Sequence, residues 1–341
     1  MKRVTVPLAD RSYEVVVGEG ALSSLAGLIP AAAKRVAVVT QANVGVTVDP
    51  HRDHQVFTIG NGEHHKTLGT IETLCREFAS FGMNRADVVV SVGGGMVTDV
   101  AGFAAASYMR GIPVVHVATT LLAMIDAAIG GKTGVNLAEG KNMVGAFWQP
   151  HGVVCDLDTL VTLPERETRC GFGEMAKYHF LTGDDLLALS LEDRVARCIQ
   201  IKADVVGLDE RESISSDNKR GRALLNYGHT LAHALEIATD HALLHGEAVA
   251  IGLVYAAHLA TVLGRVSGDV VDRHLHVLRE YGLDGRLPAG LTDDDLIALM
   301  ARDKKAIDGL TFILDGPSGI EVVAGVPVGA VREALGEMRR A

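Results

Sequence analysis

Three histidines and one glutamate in the second half of the chain are of the residue types that bind a metal ion. His229 and His233 are four residues apart, so on a helix they share a face, and His245 follows a segment where a helix could end. Neutral imidazoles with a carboxylate are typical ligands of Zn²⁺, and Glu174 is the best carboxylate candidate, although spacing does not select it. The histidines could instead be buried residues with satisfied hydrogen bonds, and spacing alone favours that interpretation.

A triple glycine in the first half has the setting of a phosphate-binding turn. Gly93, Gly94 and Gly95 follow an apolar run and precede a helical pattern, and such a junction offers backbone N–H groups to a phosphate or pyrophosphate. Thr98 stands where the dinucleotide fingerprint has its third glycine, so the motif is incomplete. Asp99 falls in the first turn of the following helix, and a tight turn with a capping aspartate explains the pattern equally well.

Charged residues within glycine-rich, apolar sequence form a third group. Lys132 and Lys141 each follow a glycine, and Asp126 precedes them among Met, Ile, Val and Phe. A charge in an apolar stretch is usually paired or functional, so a phosphorylated or carboxylated ligand is favoured over a solvated loop. Further cations lie near apolar helical stretches of the second half; each alone could be a solvated helix face, but together they indicate a substrate rich in oxyanions. These cations are Lys202, Arg222, Lys304 and Lys305.

The elements that must position these residues change in kind near residue 155. Before it, β-branched runs alternate with helical spacing, which is typical of βαβ units and a mostly parallel sheet. The predicted strands are 12–17, 35–40, 87–92 and 114–117, the predicted helices 67–81 and 97–108, and the glycine-rich stretch 130–145 is predicted to be loop. The later predicted helices are 174–181, 186–206, 222–239, 245–263, 270–281, 292–302 and 328–338, with a hairpin at 311–314 and 320–323. The sequence therefore predicts an α/β domain over residues 1–155 and a mostly α-helical domain over 156–341.

Composition argues against several other functions. The chain has 341 residues and a formal net charge of −10, and this acidic balance argues against nucleic acid or anionic lipid as the main partner. Its four cysteines form no CxxC pair, so neither a disulfide framework nor a Cys-type zinc site is indicated. The N-terminus meets charge too early for a signal peptide, and no apolar stretch is long enough to span a membrane. We therefore expect a soluble, cytoplasmic protein.

Long strings of the sequence resemble the signature of the 3-dehydroquinate synthase family, within the sugar phosphate cyclase superfamily. In the first half they are GGGMVTDVAGFAAASYMRG at 93–111, TTLLAMIDAAIGGKTGVN at 119–136 and GKNMVGAF at 140–147. In the second half they are EMAK at 174–177, KADVV at 202–206, LLNYGHT at 224–230, HGEAV at 245–249 and DKK at 303–305. The resemblance covers nearly the whole chain in order.

This resemblance implies a Rossmann-like N-terminal domain, an α-helical C-terminal domain and a homodimer. It implies an enzyme that depends on NAD and on Zn²⁺ or Co²⁺ and converts 3-deoxy-D-arabino-heptulosonate 7-phosphate to 3-dehydroquinate and phosphate. The implied metal ligands are Glu174, His229 and His245. The residues implied at the substrate are Asp126, Lys132, Asn142, Lys177, Lys202, Arg222, Asn226, His233, one of Lys304 and Lys305, and Arg110, which would reach the phosphate in the neighbouring subunit. The residues implied at NAD are Glu63, Lys66, Gly94, Gly95, Asp99, Thr119, Thr120, Leu122, Asp126, Lys132, Lys141 and Thr162.

The sequence departs from the family pattern at three places and leaves other functions open. Asn61 stands where the family usually has Asp in a DGE-x-x-K string, and the segment after Lys177 is shorter than usual. The segment 213–221 is longer than usual, so that Arg220 could compete with Arg222 for its role. Within the superfamily, the alternatives are an aminodehydroquinate synthase, a 2-epi-5-epi-valiolone synthase and a 2-deoxy-scyllo-inosose synthase. The residues that would bind a substrate carboxylate disfavour the last two. Outside it, the alternatives are a metal-dependent polyol dehydrogenase, which would release NADH, and a non-catalytic sensor.

Overall fold

The computed structural model describes residues 1–212, 221–301 and 310–340. The chain forms two units: the first comprises Met1–Pro164 and Leu191–Arg211, and the second comprises Glu165–Ser190 and Glu212–Ala341. The sequence placed the segment Leu191–Arg211 in the helical domain, whereas the structure places it in the first unit. The reason is that its helix packs on the first two strands and its Lys202 forms an ion pair with Asp126.

A seven-stranded sheet is the framework of the first unit. Its strand order is β1-β2-β9-β6-β5-β3-β4, and every neighbouring pair is parallel except β1 with β2. The strands are β1 (Lys2–Val6), β2 (Tyr13–Gly18), β3 (Arg35–Gln41), β4 (Asp53–Ile59), β5 (Val88–Gly93), β6 (Val114–Ala118) and β9 (Gly152–Asp156). The helices of this unit are α1 (Leu25–Leu28), α2 (Leu68–Ser80), α3 (Gly95–Ser107) and α5 (Leu191–Leu208). The α/β class predicted from the sequence is confirmed.

The sheet is covered on both faces, as a parallel sheet requires. Along β5, Val89 belongs to one buried apolar cluster, and Val88 and Val90 belong to another. Because side chains alternate along a strand, these two clusters lie on opposite faces of the sheet. Both predicted strands at the centre, β5 and β6, are buried throughout. Their carboxyl ends carry the triple glycine and the Thr119-Thr120 pair, so the buried strands fix the position of those residues.

The glycine-rich stretch forms a second, two-stranded antiparallel sheet, and the prediction of a loop there was wrong. Its strands are β7 (Lys132–Leu137) and β8 (Gly140–Phe147). Gly134 and Gly145 face each other across it, and a Cβ on Gly145 would overlap the carbonyl of Thr133. The glycines therefore allow two backbones to approach closely, which is a use of glycine that also fits a strand.

The second unit consists mainly of helices. They are α4 (Glu165–Thr182), α6 (His229–Ala238), α7 (His245–Val262), α8 (Asp269–Glu280), α9 (Asp293–Met300) and α10 (Val328–Arg340). The predicted hairpin is present as β10 (Leu310–Gly316) and β11 (Gly319–Val326). The predicted helix 222–239 is interrupted: a 3-10 turn, Arg222–Asn226, ends before Gly228, whose φ of 78° is left-handed, and α6 begins at the next residue. In the described part of the chain, no helix is long and apolar enough to cross a membrane.

Candidate active site

Glu174, His229 and His245 come together in the second unit, on α4, α6 and α7. The Oε1 atom of Glu174 lies 3.2 Å from Nε2 of His229 and 3.1 Å from Nε2 of His245. One ligand atom from each residue lies within 4.8 Å of the others, and among the described residues this is the group that could hold a metal ion. One carboxylate oxygen and two imidazole nitrogens that converge in this way are a typical donor set for Zn²⁺ or Co²⁺ with a coordination position left for substrate.

Glycines allow the three helices to approach closely enough for this convergence. On α4, Gly173 lies against Gly246 of α7, and a Cβ on either residue would overlap the backbone of the facing helix. Likewise, a Cβ on Gly252 of α7 would overlap the carbonyl of Gly228, which precedes α6. Glu174, His229 and His245 are each next in sequence to one of these glycines. The helices therefore cross at the positions of the ligands.

The charges of the three groups depend on one another. Glu174 is fully buried and forms an ion pair with Lys177, one turn later on α4. Burial opposes ionisation of Glu174, but Lys177 and His229 hold its pKa well below its usual range. Burial lowers the pKa of His229 to about 4, against the effect of Glu174. Burial would also lower the pKa of His245, but hydrogen bonds to Glu174 and Glu236 raise it to about 10.

The nitrogens of the two histidines that face away from the cluster have different acceptors. Nδ1 of His229 lies 3.0 Å from the carbonyl oxygen of Tyr227, and Nδ1 of His245 lies 3.4 Å from Oε2 of Glu236. Sequence reasoning missed both partners. The position of Glu236, two helical turns after His229 and thus near the same face of α6, is the signal that could have indicated it.

His233 lies beside the cluster without belonging to it. Its ring centroid is 5.6 Å from that of His229 and 6.4 Å from that of His245. The sequence left open which histidines form the ligand set, and the structure brings together His229 and His245. His233 is therefore a neighbour of the cluster of Glu174, His229 and His245, which we call the metal-type cluster.

The glycine turn of the first unit lies where parallel strands end. Gly94 and Gly95 lead from β5 into α3, and a Cβ on Gly94 would lie 3.0 Å from the methyl group of Thr120. The N–H of Thr119, after β6, donates to the carbonyl of Gly93 at 3.0 Å. A helix N-terminus beside the carboxyl ends of strands is where parallel sheets bind nucleotides.

A polar cluster around the buried Lys66 lies at the first turns of α3. The Lys66 ammonium donates to Oδ2 of Asp99 at 2.6 Å and to Oδ1 of Asn142 at 2.5 Å. Asn136 connects to it, because its side-chain amide donates to Glu63 at 2.8 Å and its carbonyl group Oδ1 accepts from the Asn142 N–H. Burial raises the pKa of Asp99 to about 6, although Lys66 opposes that shift. The structure thus places Asn142, which the resemblance assigned to substrate, with residues assigned to NAD.

Asp126 and Lys202 form a second polar pair in the first unit. The Lys202 ammonium donates to Oδ1 of Asp126 at 2.5 Å and to its backbone carbonyl at 2.7 Å. Asp126 lies in a π-helical turn, Ala123–Ala127, that follows β6. A lysine on α5 therefore holds the carboxylate at the end of the sheet where the glycine turn also lies.

The remaining candidate residues lie on separate elements. Arg110 ends a 3-10 turn after α3 and has a left-handed φ of 67°. Arg222 is buried and begins the 3-10 turn before α6. Asn226 ends that second turn, and its side-chain amide donates to the Ala223 carbonyl. Leu122 precedes the π-helical turn, Lys132 begins β7, Lys141 lies on β8 and Thr162 ends the 3-10 turn Leu157–Thr162. Lys304, Lys305 and Arg220 lie outside the described residues.

Comparison with known proteins defines the class of the chain. A solved 2-deoxy-scyllo-inosose synthase, in complex with carbaglucose-6-phosphate, NAD⁺ and Co²⁺, has a TM-score of 0.87 and 27% identity over 99% of this chain and 100% of its own. Residues 56–170 match the family model for the N-terminal part of 3-dehydroquinate synthase, and residues 171–306 match the model for its C-terminal part. The chain belongs to the 3-dehydroquinate synthase family.

Two relatives of known name match almost the whole chain. The 3-dehydroquinate synthase of Geobacter metallireducens is 40% identical over 95% of this chain and 96% of its own length. A protein of Amycolatopsis mediterranei that carries the provisional name aminodehydroquinate synthase is 50% identical over 99% of this chain and 95% of its own length. The resemblance stated from the sequence motifs is confirmed at the level of the family.

Proposed function

We propose that this chain is a 3-dehydroquinate synthase, which converts 3-deoxy-D-arabino-heptulosonate 7-phosphate to 3-dehydroquinate and phosphate in the shikimate pathway. The observation that carries the proposal is the buried cluster of Glu174, His229 and His245 in a chain that matches both family models. The reaction comprises transient oxidation of a substrate hydroxyl, β-elimination of phosphate, reduction, ring opening and an intramolecular aldol addition.

The donor set fits a divalent metal ion. Both Nε2 atoms point to the Glu174 carboxylate, and the opposite nitrogens already contact Tyr227 and Glu236, so the lone pairs that could bind a metal face the cluster. Glu174, His229 and His245 would hold Zn²⁺ or Co²⁺. When bound there, the metal ion supplies Lewis-acid polarisation of a substrate oxygen.

The first unit fits NAD. The backbone N–H groups of Gly94 and Gly95 at the N-terminus of α3 would donate hydrogen bonds to a pyrophosphate, and the carboxylate of Asp99, on the same helix, would accept hydrogen bonds from a ribose. Lys66 and Glu63, bonded through the same polar cluster, would position the adenosine end. When bound, NAD⁺ supplies a reversible hydride acceptor, so that no NADH accumulates over a turnover.

The cations of the chain suit a substrate with phosphate and carboxylate groups. Lys177, Lys202 and Arg222 are buried, and lysine and arginine neutralise oxyanions without a change of protonation. His233, beside the metal-type cluster, would move protons between substrate and solvent. By resemblance, Lys132, Asn226 and one of Lys304 and Lys305 would also contact the substrate.

We also infer that the chain acts as a homodimer in the cytoplasm. Met109, with a left-handed φ of 49°, and its neighbour Arg110 form a strained, exposed turn. By resemblance, Arg110 would reach from this turn to the substrate phosphate of the neighbouring subunit. The described cysteines, Cys75, Cys155, Cys170 and Cys198, are all free thiols, which suits a reducing compartment.

Turnover with defined cofactors tests the proposal. The protein is incubated with catalytic NAD⁺, Zn²⁺ and 3-deoxy-D-arabino-heptulosonate 7-phosphate, phosphate release is followed over time, and the product is identified by NMR. We expect phosphate and 3-dehydroquinate in equal amounts, no accumulation of NADH, and loss of turnover after treatment with a chelator. A folded, metal-loaded sample that releases no phosphate would refute the assignment, and accumulation of NADH would favour a dehydrogenase.

A second candidate, an aminodehydroquinate synthase, is favoured by one observation. The relative that carries this provisional name is 50% identical to the chain, against 40% for the 3-dehydroquinate synthase of Geobacter metallireducens. The amino analogue of the substrate, assayed in the same way, decides between the two candidates. A kcat/KM at least 10-fold higher for the analogue would reassign the chain, because a site built to hydrogen-bond one polar group discriminates strongly against another.

A further inference from the structure

Glu236 is a buried carboxylate that the assigned chemistry does not use. Its side chain lies near the end of α6, and only 8% of the residue is exposed, whereas the next residue on the helix, Ile237, is 57% exposed. This is the reverse of the usual pattern, in which the apolar residue is buried and the charged residue faces water. Burial of a carboxylate is costly unless hydrogen bonds or charges compensate it. Packing of α6 therefore does not explain the glutamate.

One contact of the Glu236 carboxylate is with a histidine of the metal-type cluster. Oε2 of Glu236 lies 3.4 Å from Nδ1 of His245, whose Nε2 lies 3.1 Å from Oε1 of Glu174. The imidazole of His245 thus lies between two carboxylates, one on each nitrogen. Glu174 is on α4 and Glu236 on α6, so the two carboxylates hold the first residue of α7 from two sides.

A neutral imidazole has one N–H and one lone pair, and the partner of one nitrogen determines the role of the other. Both carboxylates accept hydrogen bonds from His245, but an imidazole that gives its Nε2 lone pair to a metal ion keeps a single proton, and the acceptor Glu236 holds that proton on Nδ1. The lone pair then lies on Nε2 and faces the cluster. His229 is fixed in the same sense, but by the neutral backbone carbonyl of Tyr227. The two ligand histidines therefore differ at Nδ1, where the partner of His245 is a carboxylate and the partner of His229 is a neutral carbonyl.

We propose that Glu236 is a positioning residue of the metal centre: it fixes the tautomer and ring orientation of His245 and makes that imidazole the stronger donor of the two. The proposal rests on the metal centre proposed above. A carboxylate behind a ligand histidine raises the basicity of the ligand, and loss of such a partner typically weakens metal binding by about 10- to 100-fold.

Metal affinity of the whole protein, measured without turnover, tests the proposal. The metal-free protein is titrated with Co²⁺, and the dissociation constant and visible absorption spectrum are recorded for wild type, Glu236→Met and Glu236→Gln. Methionine has a similar size and no strong acceptor, and glutamine keeps an acceptor oxygen without the charge. Ile237→Gln, on the same helix but facing solvent, is the matched control. Thermal unfolding of each metal-free variant checks that the fold is retained.

We expect Glu236→Met to weaken Co²⁺ binding about 10- to 100-fold and to alter the spectrum, Glu236→Gln to lie between it and wild type, and Ile237→Gln to match wild type. If Glu236→Met does not fold, Glu236→Gln decides, because a neutral amide is a weaker acceptor than a carboxylate. Binding within twofold of wild type in the folded variants overturns the positioning role while leaving the metal centre intact. A wild-type protein that binds no Co²⁺ overturns the metal centre itself, so the two failures are distinguishable.

Discussion

Replacing Gly246 with alanine should separate two of the helices that carry metal ligands. Gly246 is the second residue of α7, and a Cβ at this position would overlap the backbone carbonyl of Cys170 on α4. Such a Cβ would lie 1.8 Å from that oxygen, whereas non-bonded heavy atoms prefer separations of about 3.5 Å, so the two backbones must move apart by up to roughly 1.7 Å. Overpacking of this kind costs about 1–3 kcal/mol in the free energy of unfolding.

The same displacement should affect the metal-type cluster. His245 is the chain neighbour of Gly246, and Glu174 lies one turn after Cys170 on α4. Metal and catalytic sites tolerate displacements of about 0.5 Å, and misplacement by about 1 Å can cost on the order of 100-fold. We therefore expect Gly246→Ala to bind Co²⁺ about 10- to 100-fold more weakly than wild type.

Urea unfolding and Co²⁺ titration measure the two effects, and Gly329→Ala is the matched control. Gly329 is also the second residue of a helix, α10, but nothing lies within 4 Å of a Cβ built on it. Its replacement should leave Co²⁺ binding unchanged and stabilise the fold by up to about 1 kcal/mol, because alanine restricts the unfolded chain. The reasoning is refuted if Gly246→Ala unfolds at the same urea concentration as Gly329→Ala and binds Co²⁺ as wild type does.

Three further predictions concern the charged residues of the two units. Co²⁺ at 100 times its dissociation constant should raise the free energy of unfolding by about 2.7 kcal/mol in urea melts of wild type and leave that of Glu174→Gln nearly unchanged. Since burial raises the pKa of Asp99 from 3.8 to about 6, the stability that this group contributes is full below pH 3.8 and is lost as the pH rises through 6. Urea melts from pH 4.5 to 7.5 should therefore show wild type losing on the order of 2 kcal/mol relative to Asp99→Asn, and parallel curves would contradict the shift. Lys202→Met should destabilise the fold by about 1–3 kcal/mol in the same assay, because it leaves the Asp126 carboxylate without its ammonium, and the double variant with Asp126→Asn should recover part of that loss.

Two of the strands that the sequence predicted, β5 and β6, are buried throughout and consist mostly of valine. β5 and β6 begin and end within one residue of the predicted bounds, because both faces of each strand are covered. β4 was not predicted: it lies at the edge of the sheet and most of its residues are exposed, so its sequence has no continuous apolar run. β7 and β8 were predicted as loop because their glycines serve close contact between strands, a role that sequence does not distinguish from a ligand-binding turn.

The candidate metal site could be predicted only in part, because its residues meet through contacts between different helices. The spacing of His229 and His233 indicated one helical face, but both are on α6, so spacing could not show which of them reaches the other helices. Glu174 was the best carboxylate candidate, but only the resemblance selected it as a ligand, because its approach to His245 depends on a helix crossing between residues far apart in the sequence. Glu236 lies near the same face of α6 as His229, two helical turns later, and this spacing is a weak indication that it belongs to the site. Its partner is again on another helix.

The glycines beside the ligands explain why the crossing points matter for the chemistry. Glu174 follows Gly173, His229 follows Gly228, and His245 precedes Gly246, and each of these glycines touches the backbone of another helix. When two packed helices tilt about their contact, a residue moves in proportion to its distance from that contact, so ligands at the crossing move least. Their geometry is then insensitive to tilting of the helices but sensitive to separation of the backbones. A single methyl group at a crossing glycine should therefore disturb the cluster more than a larger change at the far ends of the same helices.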